Sequence, residues 1–489
     1  MVNDVQAVLT DASLERLKGR MRSRQPALVQ FSFDLASVIL AVTAACLIGR
    51  WLVDRFGWEM ALPADLPAEA QALAVVLLAV PAGKFAAGLY PGYGVTLVER
   101  LRRQALVIAW VGAGVLLIDA YVLDGRWGFR FSLISLMALA PIVYVADILA
   151  RKVLMRLRMW GRPCVVVGAG RTGTELVRRL ARHEYLGFTP VLFVDDDATK
   201  WGTTIEGLPV VAPSGIGSFG RLAGRASAAI LAMPDQPREK VREIVRSLPF
   251  RTVFLVADLP GYGALNTRTC DMGGILSVEV RRNVKSPVPQ ALKRVVDVVG
   301  SAALLLAIAP LMGLIALAIR FDSPGPVLFR QKRWAGGALA FEALKFRTMH
   351  ADAEERLVEL LRTDPALRLE YETYHKLQDD PRVTRAGRLL RRLSFDELPQ
   401  LWNVLIGDMS LIGPRPYMPH ELTPYPEARA VLAQVRPGIT GLWQVSGRHN
   451  TTFEERIALD VAYIENYSIW FDFYILLRTV VTVIRAEGA

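Results

Sequence analysis

Apolar residues run in four long blocks before residue 150: roughly Leu28–Leu52, Leu66–Tyr90, Ala105–Leu123 and Phe129–Ala150. Each approaches the roughly 20 residues a helix needs to cross a bilayer, and four in succession are rare in a soluble bundle. The few charges inside them (Asp34, Lys84, Asp119, Asp147) stand near the block ends, where side chains reach the interface cheaply. From residue 163 the period changes. Pro163–Val167 is a β-branched run, followed by Gly168-x-Gly170-x-x-Gly173, a helical pattern to about His183, and a second strand Val191–Val194 ending in Asp195. Strand patterns at Ala228–Ala232 and Thr252–Val256, with the helix Arg238–Leu248 between them, predict a doubly wound α/β domain of Rossmann-like type. The glycines alone are a weak sign of a bound dinucleotide, because they also serve a tight turn and close helix packing. A regulatory or assembly role is the simpler reading.

A third pattern opens at Lys293-Arg294-Val295-Val296-Asp297, where an apolar run extends to Ile319, contains Pro310 and is closed by Arg320. The run is long enough to span, yet both flanks are basic. A helix broken at Ala309-Pro310 that enters and leaves on one side, re-entrant over 295–319, satisfies both facts. A fifth full span is the alternative. Short strand patterns follow at Val327–Arg330 and Phe341–Phe346 around a Gly336-Gly337 turn. The tail Trp470–Arg485 is apolar with Asp472 and Arg478, and reads as an interfacial amphipathic helix or a core helix.

Composition sharpens this picture. With 52% hydrophobic residues and a mean hydropathy of +0.29, the chain is too apolar for an ordinary soluble enzyme. Its net charge of +11 suits anionic lipid headgroups or phosphorylated substrates. No nucleic-acid module is readable, which sets that class aside. Lys and Arg gather before the first block (Arg16, Lys18, Arg20, Arg22, Arg24), between the second and third (Arg100, Arg102, Arg103) and after the fourth (Arg151, Lys152, Arg156, Arg158), whereas the first connection is mainly acidic. That bias puts both ends of the bundle in the cytosol. The first apolar block starts late and lacks a small-residue cleavage pattern, so a cleavable signal peptide is not expected. Three scattered cysteines and five scattered histidines support neither a disulfide frame nor a zinc site. The expected organisation is a basic tail over 1–26, a four-helix membrane bundle over 27–150, the Rossmann-like domain over 151–284 and a final α/β domain over 285–489.

The chemistry concentrates in that final domain. Asp380-Pro381-Arg382-Val383-Thr384-Arg385 and the cluster Arg388, Arg391 and Arg392 precede Ser394-Phe395-Asp396-Glu397-Leu398-Pro399-Gln400. Read locally, Ser394 and Glu397 make a helix capping box, with Asp396 favoured by the helix dipole. Read in context, adjacent acids behind a dense arginine cluster, with Gly413-Pro414-Arg415-Pro416 close after, suit Mg²⁺ and a diphosphate. The metal takes oxygen ligands, and arginine grips phosphate through paired donors.

Lys293–Asp297, Lys345–Met349, Ser394–Gln400, Asn403–Ser410, Gly413–Pro416 and Val435-Arg436-Pro437-Gly438-Ile439-Thr440-Gly441 resemble, in order, the bacterial polyprenyl-phosphate sugar-1-phosphate transferases that initiate exopolysaccharide, capsule or O-antigen synthesis. The resemblance is dense over about 285–489, and the four-span bundle with its Rossmann-like domain looks like the large subgroup of that family. It implies a membrane α-helical bundle, a Rossmann-like domain and a monotopic catalytic domain, set in the bacterial cytoplasmic membrane with the site on the cytoplasmic face. It also implies transfer of hexose-1-phosphate, with galactose favoured over glucose around Pro414–Tyr417, from a UDP-sugar to polyprenyl phosphate, releasing UMP. Asp396 then stands at the nucleophile and Glu397 at its partner acid, the pair being the implied Mg²⁺ ligands. Lys345, Arg391, Arg415, Arg436 and Asp460 stand at substrate-binding positions, and Lys293, Arg294, Asp297 and Pro310 belong to the re-entrant helix. A homodimer is compatible with the resemblance. A membrane-anchored nucleotide-sugar dehydratase or epimerase is the first rival, but it needs Tyr-x-x-x-Lys, and no tyrosine here has a lysine four places on. The second rival is a non-catalytic scaffold, which would leave Asp396 and Glu397 to helix capping.

Overall fold

The computed structural model describes residues 25–57, 77–121, 128–213, 228–250, 252–257, 267–271, 276–280, 286–336, 339–364, 367–369, 377, 380–446 and 451–484. The basic tail, most of the acidic first connection, the first part of the second apolar block and Gly337 lie outside the described residues. The chain divides into two compact units, Met1–Leu259 and Pro260–Ala489.

In the first unit α1 (Gln25–Phe56), α2 (Leu77–Ala86), α3 (Leu97–Tyr121) and α4 (Gly128–Arg156) form the bundle. Among the described residues four helices are long and apolar enough to cross a membrane: three lie here, at Pro26–Phe56, Leu97–Tyr121 and Phe131–Arg156, and the fourth is Pro287–Asp322. The bundle inverts the pattern of a soluble protein. Leu40, Leu47, Trp51, Trp110, Leu117 and Met137 face outward, while Val38, Val80, Val107, Leu139 and Val143 pack inside. Close helix approach needs small residues: a Cβ added to Gly83 would come within 2.7 Å of Val107, and one on Gly112 within 2.8 Å of Leu136.

The bundle charges do not snorkel from block ends as their positions suggest. Lys84 bonds Asp34 at 2.7 Å and Asp147 at 3.4 Å, while Arg100 and Arg151 reach Asp147 at 3.1 and 3.0 Å, all with side chains at most 6% exposed. Tyr90 donates to the other oxygen of Asp34. Pairing with one another replaces the water these groups lose.

The same unit carries a six-stranded sheet: β1 (Arg162–Val167), β2 (Phe188–Val194), β3 (Thr204–Ile205), β4 (Leu208–Val211), β5 (Ala228–Leu231) and β6 (Val253–Leu255), in the order β3-β4-β2-β1-β5-β6. Every pair is parallel except β3–β4. Apolar side chains cover both faces, so the strands read as continuous hydrophobic runs. Val165 and Val167 join Leu192, Val194 and Leu248 on one face, and Val166 joins Val177 and Phe193 on the other. Val177 comes from α5 (Arg171–Arg182); α6 (Arg238–Ser247) supplies Val241 and Ile244 to the first face. Asp195 accepts from Ala169 N–H at 2.6 Å and Asp197 N–H at 2.9 Å, so its carboxylate is used within the glycine turn itself.

The second unit opens with the hairpin β7 (Thr267–Asp271) and β8 (Leu276–Val280), which falls here rather than with the six-stranded sheet. Then comes α7, one helix from Pro287 to Asp322 that runs through Pro310 without interruption. The expected break at Ala309-Pro310 is therefore not an end of helix. Proline removes one backbone bond there, and the turns on either side carry the helix on.

Antiparallel strands β9 (Leu328–Gly336) and β10 (Leu339–Phe346) follow, then α8 (Ala353–Thr363), α9 (Arg385–Leu393) and α10 (Gln400–Ile406). Strands β11 (Ser410–Ile412) and β12 (Gly438–Thr440) pair in parallel. They are joined through α11 (Pro426–Leu432) and followed by α12 (Leu442–Ser446), α13 (Phe453–Glu465) and α14 (Ile469–Ile484). The tail helix α14 packs as a core helix along one face, with Ile475 fully buried beside Tyr463 and Leu432, while Phe473, Leu476, Leu477, Val480 and Val481 face outward.

Candidate active site

A cleft of about 1020 Å³ opens in the second unit. Its floor is one face of the β9–β10 hairpin. The register pairs Phe329 with Lys345, Gln331 with Ala343 and Arg333 with Phe341. Directly opposed residues share a face, and Phe329, Gln331, Arg333, Ala343 and Lys345 all line the cleft.

Its wall is the turn between α9 and α10. Ser394 ends α9 in the left-handed region, φ 57°, with its N–H bonded back to Arg391 O, and a 3₁₀ turn Phe395–Glu397 follows. Phe395 and Leu398 pack with Ile315 and Ile319 of α7, Phe346 and Leu390, which leaves the half-buried Asp396 and Glu397 to line the cleft. The capping-box reading is not what forms. Ser394 makes no side-chain cap bond, and Glu397 Oε1 instead accepts from Lys345 Nζ at 2.7 Å. Burial, reinforced by the neighbouring Glu397, holds the Asp396 carboxyl above its usual range, and Lys345 and Arg391 pull it back.

Arg391 lines the same cleft and donates from Nε to Thr348 Oγ1 at 3.0 Å. Gly387 is required beside it because a side chain there would strike the Thr348 carbonyl. Arg415 also lines the cleft, its guanidinium 5.7 Å from the Trp443 ring centre and 5.9 Å from that of Tyr417. Asp460 stands behind it. Fully buried on α13, Asp460 accepts from Arg415 N–H at 2.9 Å and Tyr417 O–H at 2.8 Å, and so positions that loop without lining the cleft. Arg436 is exposed and does not line the cleft either; its backbone carbonyl abuts Gly413.

The basic start of α7 serves as a clamp. Lys293 bonds Asp472 at 2.8 Å, Arg294 caps the last carbonyls of α10 at Val404 and Leu405, and Asp297 accepts from Ser410 Oγ and Leu411 N–H, both at 2.9 Å. At the other end Asp322 accepts from Ala386 N–H at 2.9 Å, and Arg347 donates to Ser323. Both ends of α7 are thus tied to the same folded unit.

Gln331, Arg333, Trp443, Gln444 and Arg456, outside every motif singled out above, also line the cleft, as does Gln400 at the end of Ser394–Gln400. For Gln331 and Arg333 the signal was the period of two: they share the face of Lys345 once the hairpin register is known.

The family model described as bacterial sugar transferase matches residues 288–486, the part of the chain that builds this cleft. A UDP-galactose-lipid carrier transferase of Erwinia amylovora is 31% identical over 395 residues, 79% of this chain and 81% of that protein. An undecaprenyl-phosphate galactose phosphotransferase of Salmonella typhimurium is 35% identical over 70% of this chain and 72% of its own length. A UDP-glucose:undecaprenyl-phosphate glucose-1-phosphate transferase of Escherichia coli is 32% identical over 65% of this chain and 67% of its own. With a cleft of this make-up under that match, and relatives aligned across both units, the chain belongs to the bacterial sugar transferase family.

Proposed function

We propose that the chain transfers hexose-1-phosphate from UDP-galactose or UDP-glucose to undecaprenyl phosphate at the cytoplasmic face of the bacterial inner membrane. The observation that carries this reading is the acid pair Asp396–Glu397, set with Lys345 in a cleft of arginines on a turn packed against α7. An Asp396 carboxylate oxygen attacks the sugar-bearing phosphorus, the bond to the UMP phosphate oxygen breaks, and UMP leaves. The aspartyl-phosphosugar is then attacked by a phosphate oxygen of the polyprenyl acceptor, which frees Asp396 and gives the lipid diphosphate-sugar. Covalent catalysis by a carboxylate splits the transfer into two easier steps and gives ping-pong kinetics. Lys345, Arg391 and Arg415 meet the charge on the phosphate oxygens.

Asp396 and Glu397 also fit Mg²⁺, which binds proteins through one or two carboxylates and completes its shell with substrate phosphates and water. Among the described residues no three His, Cys, Asp or Glu gather to hold a metal without substrate, in keeping with that mode. When bound, the ion would neutralise phosphate charge beside the acid pair.

We further propose that α7 bends at Pro310 while staying helical and is re-entrant. Its middle is exposed and apolar at Leu304, Leu306, Leu311 and Leu314, while both ends are held by one unit. The outward face of α14 would lie along the same lipid surface. The six-stranded domain, Rossmann-like in strand order, serves assembly or regulation rather than the transfer. Membranes holding the full chain, given labelled UDP-sugars and polyprenyl phosphate, should convert UDP-galactose or UDP-glucose to lipid diphosphate-sugar with release of UMP. A folded protein that converts neither would overturn this reading.

A further inference from the structure

Arg333 is one of three deeply buried arginines of the cleft, with Arg347 and Arg382. It is 8% exposed, its Nη2 donates to the neutral amide of Gln331 at 2.7 Å, and its Nη1 is buried without a partner. No carboxylate lies within ion-pair distance of it among the described residues. The charges that act on it are Arg415, Glu421 and Glu397. A buried guanidinium is costly unless an anion meets it, and a strand that needed only packing would be better served by an aliphatic side chain. Burial and the adjacent Arg415 both disfavour its positive charge, and a bound anion would relieve both.

Position indicates which anion. Lys345 marks the reacting end, because it holds Glu397 beside Asp396. Arg333 lies on the same hairpin face, four residues along β9 from Phe329, the partner of Lys345. At ~3.4 Å per residue the two backbones stand about 14 Å apart, a spacing that lets the two long side chains reach different phosphates of one diphosphate. The phosphate on the Arg333 side is then the one that stays with the nucleoside. Resting on the UDP-sugar reading above, we infer that Arg333, steadied by Gln331, is the anchor for the phosphate of the departing uridine nucleotide and a determinant of donor rather than acceptor binding.

The test uses the full chain in detergent or nanodiscs, with UMP as probe. Arg333→Gln should bind UMP about tenfold to a hundredfold more weakly than wild type, the loss expected for a charge-assisted contact. It should bind uridine, which lacks the phosphate, equally well. Its KM for the UDP-sugar should rise by a similar factor while that for polyprenyl phosphate stays put. Unchanged UMP affinity overturns the assignment, and so does a rise confined to the polyprenyl phosphate KM, which would give Arg333 to the acceptor. If Arg333→Gln does not accumulate, Arg333→Lys carries the comparison: it keeps the charge but not the paired donors, and its UMP affinity should still fall. Wild type that binds no UMP would overturn the donor reading itself, a result distinct from wild type and variant binding UMP alike.

Discussion

Asp396 and Glu397 are neighbours with different surroundings, and that difference has a measurable consequence. Glu397 is held by Lys345 at 2.7 Å, whereas burial and the charge of Glu397 push the Asp396 carboxyl upward. As pH falls through a raised pKa, Asp396 gains a proton and can no longer attack. The acid limb of kcat/KM for the UDP-sugar should therefore lie above the ordinary carboxylate range of about 4. Lys345 opposes the rise, so Lys345→Met should move the limb of the residual activity higher still; a downward move would contradict this account. Asp460 offers a stability test of the same kind. Burial pushes it to about 7 against the hydrogen bonds from Arg415 and Tyr417. The folded chain then holds the proton better than the unfolded one, so Asp460 contributes stability below about pH 4 that is lost as pH rises through 7. Melting curves from pH 4 to 8 should show that decline in wild type and a flatter profile in Asp460→Asn. That Asp396 and Arg391 share the cleft could be read from their motif because they are close in sequence, whereas Lys345 reaches Glu397 only through the β9–β10 hairpin. Arg436 and Asp460 could not be separated from them, since which side of a loop reaches the cleft depends on packing between α13 and the β11–β12 pair.

At the scale of elements, the α9–α10 turn depends on one residue outside the helical region. Ser394 at φ 57° is a position that glycine fills without strain and a β-branched residue does not. Ser394→Gly should keep full transfer, whereas Ser394→Val should cost about 1–2 kcal/mol and lower turnover by displacing Asp396; equal activity and melting of the two variants would count against the turn. In the bundle, Asp147 is shared by Lys84, Arg100 and Arg151. Asp147→Asn leaves buried cations under-paired and should lower stability by about 3–5 kcal/mol, read as loss of folded protein in detergent. The long elements were legible because their periods were: α1 and strands β1, β2 and β5 fall within a few residues of expectation, while α3, α4 and α7 fall on the expected apolar blocks but overrun one end of them. The shared ion cluster was not, because hydropathy gives the depth of a charge in a span but not the neighbouring helix it faces. The pair β11–β12 was also missed. Three residues each, drawn together across α11, carry too little alternation to announce a strand.

For the whole molecule, the proposed function rests on two arrangements: α7 held at both ends by one unit, and a cleft lined entirely from the unit Pro260–Ala489. Leu292 and Phe321 flank the apolar run and are 48% and 87% exposed. Cysteines placed at each in turn should be labelled from the cytoplasmic side alone, and periplasmic labelling at position 321 would make α7 a full span. Because every group of the cleft lies in the second unit, a membrane-inserted fragment starting at Pro260 should retain transfer, and a folded but dead fragment would bring the first unit into the chemistry. In the proposed mechanism the phosphosugar rides on Asp396 between a soluble donor and a lipid acceptor. Full-length protein incubated with labelled UDP-sugar and no polyprenyl phosphate should release UMP and retain label on the peptide holding Asp396, and adding polyprenyl phosphate should chase that label into lipid. Asp396→Asn, folded as judged by its melting curve, should trap nothing and turn over orders of magnitude more slowly. Near-normal turnover by that variant, or label on another residue, would contradict the account.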